Sequence, residues 1–247
     1  MSGTTLGEIV GNYRYIDLSQ SIQEGIPVWP GDQPYSLGKL SRKDKKTLLM
    51  AQGCGTHIDA PVHFHKHGLD IASIPLKELI APACVLDIRE KVKDNADYMV
   101  NKYDIIDWEN QYGQISENSI FLVHTGWAKF WNKKEQYLNF DNSNTMHFPG
   151  FSVNALEYLI AKNVNGLGID TLSVDPGFST DFPVHELMSS YGGFHIENLC
   201  NLESLPAVGA MIVALPLKLC YAEESPARVI AFLTNQEKSN EDSYHNA

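Results

Sequence analysis

The sequence predicts a single mixed α/β domain in which buried strands alternate with helices. A buried strand at 120–123 is followed by a charged loop, by a helix that begins after Ser152, and by a second strand at 168–170. This order is typical of layered α/β domains. Apolar residues make up 43% of the 247 residues and charged residues 20%, as in an ordinary globular core. Since no repeat, linker or shift of composition interrupts residues 1–234, we predict one domain there and a disordered tail at 235–247.

The first half of the chain predicts strands separated by turn-rich segments. Residues 13–32 begin with an alternating pattern, which indicates a strand, and end in prolines and a glycine, which indicate a loop. A strand from Thr47 toward residue 57 and another at 83–88 follow. A short helix is expected at 102–112, before the buried strand at 120–123.

The second half predicts two helices and further strands. Ser152 is a good N-cap for a helix whose apolar residues recur at helical spacing, and a second helix is expected to begin at 181–183. Residues 196–199 indicate a strand or a turn. The apolar run 205–217 is too short for a bilayer and contains proline and glycine, so it predicts a buried strand and no membrane span. Residues 129–143 are charged, aromatic and turn-rich, which indicates a surface excursion near the mouth of a site.

Composition also narrows the range of partners. The net charge of -11 would repel a phosphate backbone, and no basic run with interleaved aromatic residues is present, so nucleic-acid binding is not expected. The four cysteines lie far apart without a CxxC pair, and the N-terminus lacks a basic region followed by an apolar run. We therefore expect a reduced, cytoplasmic protein whose partners are small molecules.

Two histidines and an aspartate lie close together in the stretch 53–64, GCGTHIDAPVHF. In a strand, side chains of equal parity share a face, so His57 and Asp59 point the same way with Cβ atoms roughly 7 Å apart, close enough to bind one ion. Pro61 cannot donate to a sheet ladder and tends to end the strand, which lets His63 turn back over the same point. An isolated His-x-Asp pair is more often structural than functional. The choice between the two interpretations therefore depends on the residues around the pair.

The whole run, Gly-x-Gly-Thr-His-x-Asp-x-Pro-x-His, resembles the signature of the metal-dependent cyclase family, which includes bacterial kynurenine formamidases and isatin hydrolases. The phrases at 27–32 (PVWPGD), 124–127 (HTGW) and 225–229 (SPARV) also resemble that family, and the likeness covers most of residues 14–232. It implies the family's swivelling β/β/α fold and a homo-oligomer, either a dimer or a tetramer.

The resemblance also implies a metal site. His57 and Asp59 are too few ligands for a catalytic divalent ion, which needs about three or four and an open position. In the family a histidine and a glutamate twelve positions apart contribute ligands, and His185 and Glu197 stand at that interval. We therefore predict one or two ions of Zn²⁺ or Mn²⁺ held by these four residues, with His63 as general acid and base.

Other residues near these motifs are interpreted differently. Trp29, held between two prolines, either caps an edge of the core or forms a flat wall for an aromatic substrate, and the resemblance favours the wall. His65 and His67 are expected to lie in a solvated loop. We expect His195 and Glu186 to be structural or surface residues.

The activity that the resemblance implies is hydrolysis of an amide bond, in a formamide or a lactam, of a small aromatic substrate, as in tryptophan catabolism. A metal ion lowers the pKa of a bound water and polarises a carbonyl, and an imidazole that titrates near pH ~6.5 can serve as base and then as acid. No Gly-x-Ser-x-Gly occurs in the chain, which argues against a serine hydrolase of the α/β type.

One position departs from the family pattern, because Gly53 stands where the family has a leading histidine ligand. Gln52, or less favourably Cys54, could substitute, although both have the wrong parity for a regular strand and would need a bulge. Alternatively one ion binds without a replacement ligand, or the protein is a non-catalytic small-molecule or metal-binding member of the family. We expect a working site with one metal ion, or a weakened site with two.

Overall fold

The computed structural model describes residues 7, 11–39 and 45–234, so the tail predicted at 235–247 lies outside the described residues. The strands in this part of the chain are β1 (Tyr13–Asp17), β2 (Ser36–Lys39), β3 (Lys46–Leu49), β4 (His57–Asp59), β5 (Ile80–Asp87), β6 (Met99–Val100), β7 (Ile120–His124), β8 (Gly150–Phe151), β9 (Gly166–Ile169), β10 (Phe194–Glu197), β11 (Val208–Pro216) and β12 (Glu224–Thr234). The α-helices are α1 (Leu76–Leu79), α2 (Arg89–Val92), α3 (Lys102–Tyr112), α4 (Lys134–Leu138), α5 (Val153–Ala161) and α6 (Pro183–Tyr191). Short 3-10 helices lie at Pro61–His63, Ile71–Ser73, Trp127–Phe130 and Leu202–Ser204.

Eight strands form one sheet in the order β1-β12-β11-β5-β7-β9-β10-β4. Strands β5, β7, β9 and β10 run parallel to their neighbours in that group, and the other pairs of this sheet are antiparallel. Because β4 also pairs with β12, the sheet closes on itself in the manner of a barrel, with β1 as an extra strand beside β12. The predicted mixed α/β fold is therefore confirmed.

Two apolar cores lie on opposite faces of this sheet, as the alternation along the strands shows. In β7, Phe121 belongs to the core that includes residues of α3, α5 and α6, whereas its neighbour Leu122 belongs to the other core. Ile58 of β4 and Ile196 of β10 share that second core with Leu122. Since successive side chains point to opposite faces, the residues that flank Ile58 and Ile196 in sequence point toward the layer that contains α6.

Several predicted elements are confirmed. Helix α3 has the predicted bounds, and Asn101 caps it in a reciprocal arrangement with Asp104. Helix α5 follows its predicted cap, since Ser152 Oγ accepts the N–H of Ala155. Strands β7 and β9 match the two predicted buried strands at 120–123 and 168–170 within two residues. None of the helices in the described ranges has the length and apolarity that crossing a bilayer requires.

The structure differs from three local expectations. Most of the segment 129–143 is exposed, as expected of a surface excursion, but Trp131, Tyr137 and Leu138 are buried in the core, the last two within α4. The strand predicted from Thr47 toward residue 57 is two strands, β3 and β4, which belong to different sheets. Strand β11 buries only alternate residues, so the apolar run that predicted it is exposed on one face.

Candidate metal centre

Strand β4 lies between β10 and β12, and this pairing places polar side chains opposite one another. On one side, Asp59 pairs with His195 and His57 pairs with Glu197. On the other side, Asp59 pairs with Glu224. Directly opposed residues of an antiparallel pair project on the same face, so these five side chains share one face of the sheet.

The structure brings the four predicted metal ligands together from segments that are far apart in the sequence. His57 Nε2 lies 3.1 Å from Asp59 Oδ1 and 3.5 Å from Glu197 Oε2. His185 Nε2, which comes from α6, lies 3.3 Å from Asp59 Oδ2 and 3.2 Å from Glu197 Oε1. All four residues are buried. Two imidazole nitrogens and two carboxylates therefore meet at one point between the sheet and α6.

Helix α6 and Asp175 together fix the orientation of His185. The helix begins at Pro183, and the buried carboxylate of Asp175 accepts the backbone N–H groups of Val184 and His185, each at 3.0 Å. Asp175 Oδ2 also lies 2.7 Å from His185 Nδ1. Because Nδ1 donates its proton to this carboxylate, Nε2 is the nitrogen that faces the other polar groups.

His57 is oriented by a separate chain of hydrogen bonds. Its Nδ1 lies 2.9 Å from the carbonyl oxygen of Gly55, which also accepts a hydrogen bond from Asn198 Nδ2 at 2.9 Å. The hydroxyl of the buried Tyr137 donates to Asn198 Oδ1 at 2.7 Å. Gly55 has φ +75°, and a Cβ there would lie 2.7 Å from Ile22 Cγ1, so the turn before His57 requires glycine.

Burial and charge oppose each other in this cluster. Burial alone would lower the pKa of His57, but the Asp59 and Glu197 carboxylates raise it well above its ordinary value. Burial alone would also lower the pKa of His185, but the carboxylates of Asp175, Asp59 and Glu197 raise it well above its ordinary value. Burial alone would raise the pKa of Asp59, but the adjoining imidazoles hold it well below its usual range. The grouped carboxylates thus require nearby positive charge, which protons or a divalent cation can supply.

The donor atoms of the cluster fit a metal ion. Asp59 Oδ1 and both ring nitrogens of His195 are buried and have no hydrogen-bond partner in the described part of the chain, although buried polar atoms are nearly always partnered. Two groups of residues, Asp59 with His185 and His195, and Asp59 with His57 and Glu224, offer ligand atoms that all lie within 4.8 Å of one another. Nitrogen and oxygen donors of this kind suit Zn²⁺ or Mn²⁺, and Asp59 is common to both groups.

His195 lies inside this cluster, so of the two predicted alternatives, a structural or a surface residue, the surface position is wrong. It is buried, its Nδ1 lies 3.8 Å from Asp59 Oδ2, and its ring centroid lies 4.7 Å from that of His185. Burial lowers its pKa, which favours the neutral imidazole that binds metals. The sequence interpretation started the strand at residue 196, whereas β10 begins at Phe194, and this earlier start puts His195 on the same face as Glu197.

His63 and Trp29 lie at the edge of the cluster. His63 ends the 3-10 helix that begins at Pro61, its side chain is 25% exposed, and its ring centroid lies 6.0 Å from that of His185. Trp29 is half-buried, and its ring meets that of Phe182 edge-on at 5.6 Å. Both residues are thus near the convergence point without belonging to it.

Two aromatic residues that the sequence interpretation missed complete an apolar rim with Trp29. Phe182 lies 5.9 Å from the His185 ring, and Phe64 lies 4.8 Å from it, both between ring centroids. Phe182 has φ +48°, a left-handed conformation that costs a bulky residue on the order of 1–3 kcal/mol and that tends to occur at functional sites. The local sequence carries no signal for this backbone conformation.

The remaining candidates lie away from the convergence point. His65 and His67 are exposed, as predicted for a solvated loop, and Glu186 is exposed on α6. Cys54 is fully buried in the apolar core that includes α3, α5 and α6.

Gln52 and Glu224 hold positions that the sequence did not reveal. Gln52 Oε1 accepts the backbone N–H groups of Glu223 and Glu224, at 3.0 and 3.2 Å. These two hydrogen bonds occupy the amide oxygen of Gln52, the residue that we considered as a substitute metal ligand. The Glu224 carboxylate lies 4.0 Å from His57 Nε2 and 3.6 Å from His63 Nε2. Burial, with the Asp59 charge, raises the pKa of Glu224 to about 7.

We predict that Asp175→Asn weakens binding of Mn²⁺ about 10–100-fold, because the amide no longer fixes the His185 tautomer through a charged acceptor. Isothermal titration of the chelator-treated protein with Mn²⁺ measures this change. Asp181→Asn is the matched control, since Asp181 is exposed just before α6. Equal affinities of the Asp175 variant and the wild type would contradict the role of Asp175 in orienting His185.

Comparison with known proteins agrees with the fold. A family model described as "Putative cyclase" matches residues 16–176. The isatin hydrolase of Roseibium aggregatum is 31% identical over 195 residues, which cover 75% of this chain and 73% of that protein. The kynurenine formamidase of Paracidovorax citrulli is 27% identical over 220 residues, which cover 87% of this chain and 94% of that protein.

A solved structure extends the likeness to three dimensions. The crystal structure of an isatin hydrolase bound to the product analogue thioisatinate matches with a TM-score of 0.87 and 26% identity. The match covers 92% of this chain and 95% of that one. From the family match, the relatives and the shared fold, we conclude that this chain belongs to the cyclase family.

Proposed function

We propose that this protein is a metal-dependent hydrolase that cleaves the amide bond of a formamide or a lactam in a small aromatic substrate. The observation that carries the proposal is the convergence of His57, Asp59, His185 and Glu197 on one buried point, with His63 at its edge. The names of the two relatives, isatin hydrolase and kynurenine formamidase, support hydrolysis of this class of bond.

The proposed metal is Zn²⁺ or Mn²⁺, in one or two ions, held by those four converging residues. An ion of this kind lowers the pKa of a bound water and polarises a carbonyl. Asp175 and the Gly55 carbonyl each take the Nδ1 proton of a histidine, which leaves the two Nε2 atoms free for the ion.

His63 is the proposed group that moves protons. Its Nδ1 lies 3.4 Å from Glu223 Oε2, a carboxylate on the solvent side that orients the ring. From the edge of the site, the imidazole can take a proton from the attacking water and return it to the departing nitrogen.

The aromatic rim is the proposed contact for the substrate. Trp29, Phe182 and Phe64 lie in a row beside His185. The ring centroids are 5.6 Å apart between Trp29 and Phe182 and 5.8 Å apart between Phe182 and Phe64. Flat apolar rings bind an aromatic substrate through stacked or edge-on contacts, and they keep bulk water from the reacting bond.

We further propose a cytoplasmic homo-oligomer, either a dimer or a tetramer. Val208, Met211 and Leu215 of β11 are between 40% and 46% exposed, and grouped exposed apolar side chains often mark interaction surfaces. All four cysteines are free, as a reducing compartment would keep them.

Metal analysis and hydrolysis assays together test the proposed function. The purified protein is expected to contain Zn²⁺ or Mn²⁺ and to hydrolyse N-formylkynurenine or isatin, with activity lost on chelation and regained on adding the ion. Bound metal without turnover of any formamide, lactam or lactone would contradict hydrolysis and favour the non-catalytic binding protein.

We also predict that Mn²⁺ stabilises the folded protein, because the cluster exists only in the folded chain. At a free concentration about 100 times the Kd, the gain in unfolding free energy is about 2.7 kcal/mol, or roughly 5–10 °C in Tm for a domain of this size. Thermal melts of the chelator-treated protein with and without Mn²⁺ measure it, and Mg²⁺, which prefers all-oxygen sites, is the control ion. Identical melting temperatures with and without Mn²⁺ would contradict a cation site at this cluster.

A further inference from the structure

The space beside Gly53 is filled by the carboxylate of Glu224. An ideal Cβ built on Gly53 would lie 2.9 Å from Glu224 Oε1 and 3.0 Å from Oε2. Any side chain at residue 53 would therefore compete with this carboxylate for the same volume. Glycine at residue 53 and glutamate at residue 224 are thus spatially coupled, although the two residues are far apart in the sequence.

Strand pairing directs the Glu224 side chain toward the metal cluster. Glu224 pairs with Asp59 across β4 and β12, so both carboxylates project on the same face. The ligand atoms of Glu224, Asp59 and His57 all lie within 4.8 Å of one another. Asp59 Oδ1 is buried without a hydrogen-bond partner among the residues that the structure describes, because the atom 3.1 Å from it is His57 Nε2, which carries no proton when Nδ1 donates to the Gly55 carbonyl. A cation among these three residues would give that oxygen a partner.

Gln52 holds the backbone that carries Glu224. Its Oε1 accepts the N–H groups of Glu223 and Glu224, so the start of β12 is anchored to the turn that contains Gly53. The amide oxygen of Gln52 is therefore engaged in positioning the strand. This arrangement makes Glu224 a better candidate than Gln52 for the ligand that Gly53 does not supply.

We propose that Glu224 is a metal ligand that acts with His57 and Asp59 and occupies the volume left open by Gly53. The proposal rests on the metal dependence proposed above and adds to it a residue from β12. The third ligand for an ion at His57 and Asp59 is then a carboxylate oxygen from β12, which is far from β4 in the sequence but pairs with it in the sheet. The turn before β4 then contributes no side chain to the ion. Carboxylate oxygen, like imidazole nitrogen, is a suitable ligand for Zn²⁺ and Mn²⁺.

Titration of the full-length, chelator-treated protein with Mn²⁺ alone tests this proposal without any substrate. Glu224→Gln is expected to weaken binding by ~10²-fold or more, since a direct ligand should matter at least as much as an outer partner, whose loss typically costs 10–100-fold. Glu223→Gln is the matched control, because it removes the same charge one residue away from a side chain that is 60% exposed. Its Mn²⁺ affinity should remain close to that of the wild type.

A rescue variant separates loss of a ligand from general damage to the fold. Gly53→His combined with Glu224→Ala places an imidazole in the vacated volume and should regain most of the Mn²⁺ affinity lost in Glu224→Ala. If Glu224→Gln does not fold, Glu224→Asp, which keeps the charge but retracts it, should fold and bind Mn²⁺ more weakly than the wild type.

The outcomes distinguish this proposal from the proposed function. A wild-type protein that binds Mn²⁺ and a folded Glu224→Gln variant with unchanged affinity would overturn the ligand role of Glu224 and leave metal dependence intact. Loss of Mn²⁺ affinity in Glu224→Gln, together with rescue of Glu224→Ala by Gly53→His, in a protein that hydrolyses no substrate would support the ligand role and overturn the hydrolase. A wild-type protein that binds neither Mn²⁺ nor Zn²⁺ would overturn both.

Discussion

Replacing His63 by alanine is expected to lower kcat about 10²–10⁴-fold, because the variant lacks the group that takes and returns the proton. Mn²⁺ affinity should stay close to that of the wild type, since the His63 ring lies 6.0 Å from the His185 ring, at the edge of the convergence point. The pH profile of kcat should lose the limb that reports an imidazole. Steady-state assays over a range of pH, together with Mn²⁺ titration, measure both expectations.

The control for this prediction is His65→Ala, which removes an exposed imidazole two residues along the same segment. Its kcat should match that of the wild type. A His63→Ala variant that keeps its activity would contradict the proton-transfer role. A variant that loses Mn²⁺ instead would indicate that His63 is a ligand, and the acid and base would have to be sought elsewhere in the site.

Part of the site could be predicted because its residues follow local periodicity, whereas the choice of His185 and Glu197 as ligands came from the family resemblance. The alternation of a strand places His57 with Asp59, and the start of α6 at Pro183 presents His185 from its first turn. The capping residue Ser152 likewise predicts where α5 begins. In each case the physical cause acts within a few residues, so the sequence carries it.

His195 was missed because of a small error in the bounds of a strand. Once β10 is known to start at Phe194, the same alternation that pairs His57 with Asp59 also pairs His195 with Glu197. The signal was therefore present, but it depends on bounds that local sequence defines poorly.

Glu224 and Tyr137 could not be predicted in this way. Glu224 reaches the cluster only because β12 pairs with β4 and closes the sheet, and local sequence does not specify which strands pair or in which register. Tyr137 lies in a charged segment that looks like a surface loop, yet its ring is fully buried and its hydroxyl supports Asn198. Both positions are determined by tertiary packing.

Replacing Asp59 by asparagine is expected to weaken Mn²⁺ binding by more than ~10²-fold, because Asp59 is common to both groups of possible ligands. One of its oxygens lies 3.1 Å from His57 Nε2, and the other lies 3.3 Å from His185 Nε2 and 3.8 Å from His195 Nδ1. An asparagine keeps the shape of the side chain but lacks the charge that binds a cation and that offsets the two imidazoles. The variant should therefore lose the gain in Tm that Mn²⁺ gives to the wild type, and hydrolysis with it.

Loss of metal in a variant of a buried aspartate could also follow from a damaged fold, so the control must be another buried aspartate. Asp104 serves, because it is buried, it pairs with Lys91, and it accepts hydrogen bonds from the Tyr98 hydroxyl and the Asn101 backbone N–H. Asp104→Asn should lower the free energy of unfolding while keeping the Mn²⁺ affinity and the rise in Tm. Because the two variants make the same chemical change in buried positions, a difference between them in Mn²⁺ response assigns the cation to Asp59. An Asp59→Asn protein that Mn²⁺ still stabilises would place the ion elsewhere, and the convergence of His57, His185 and Glu197 on this residue would then need another explanation.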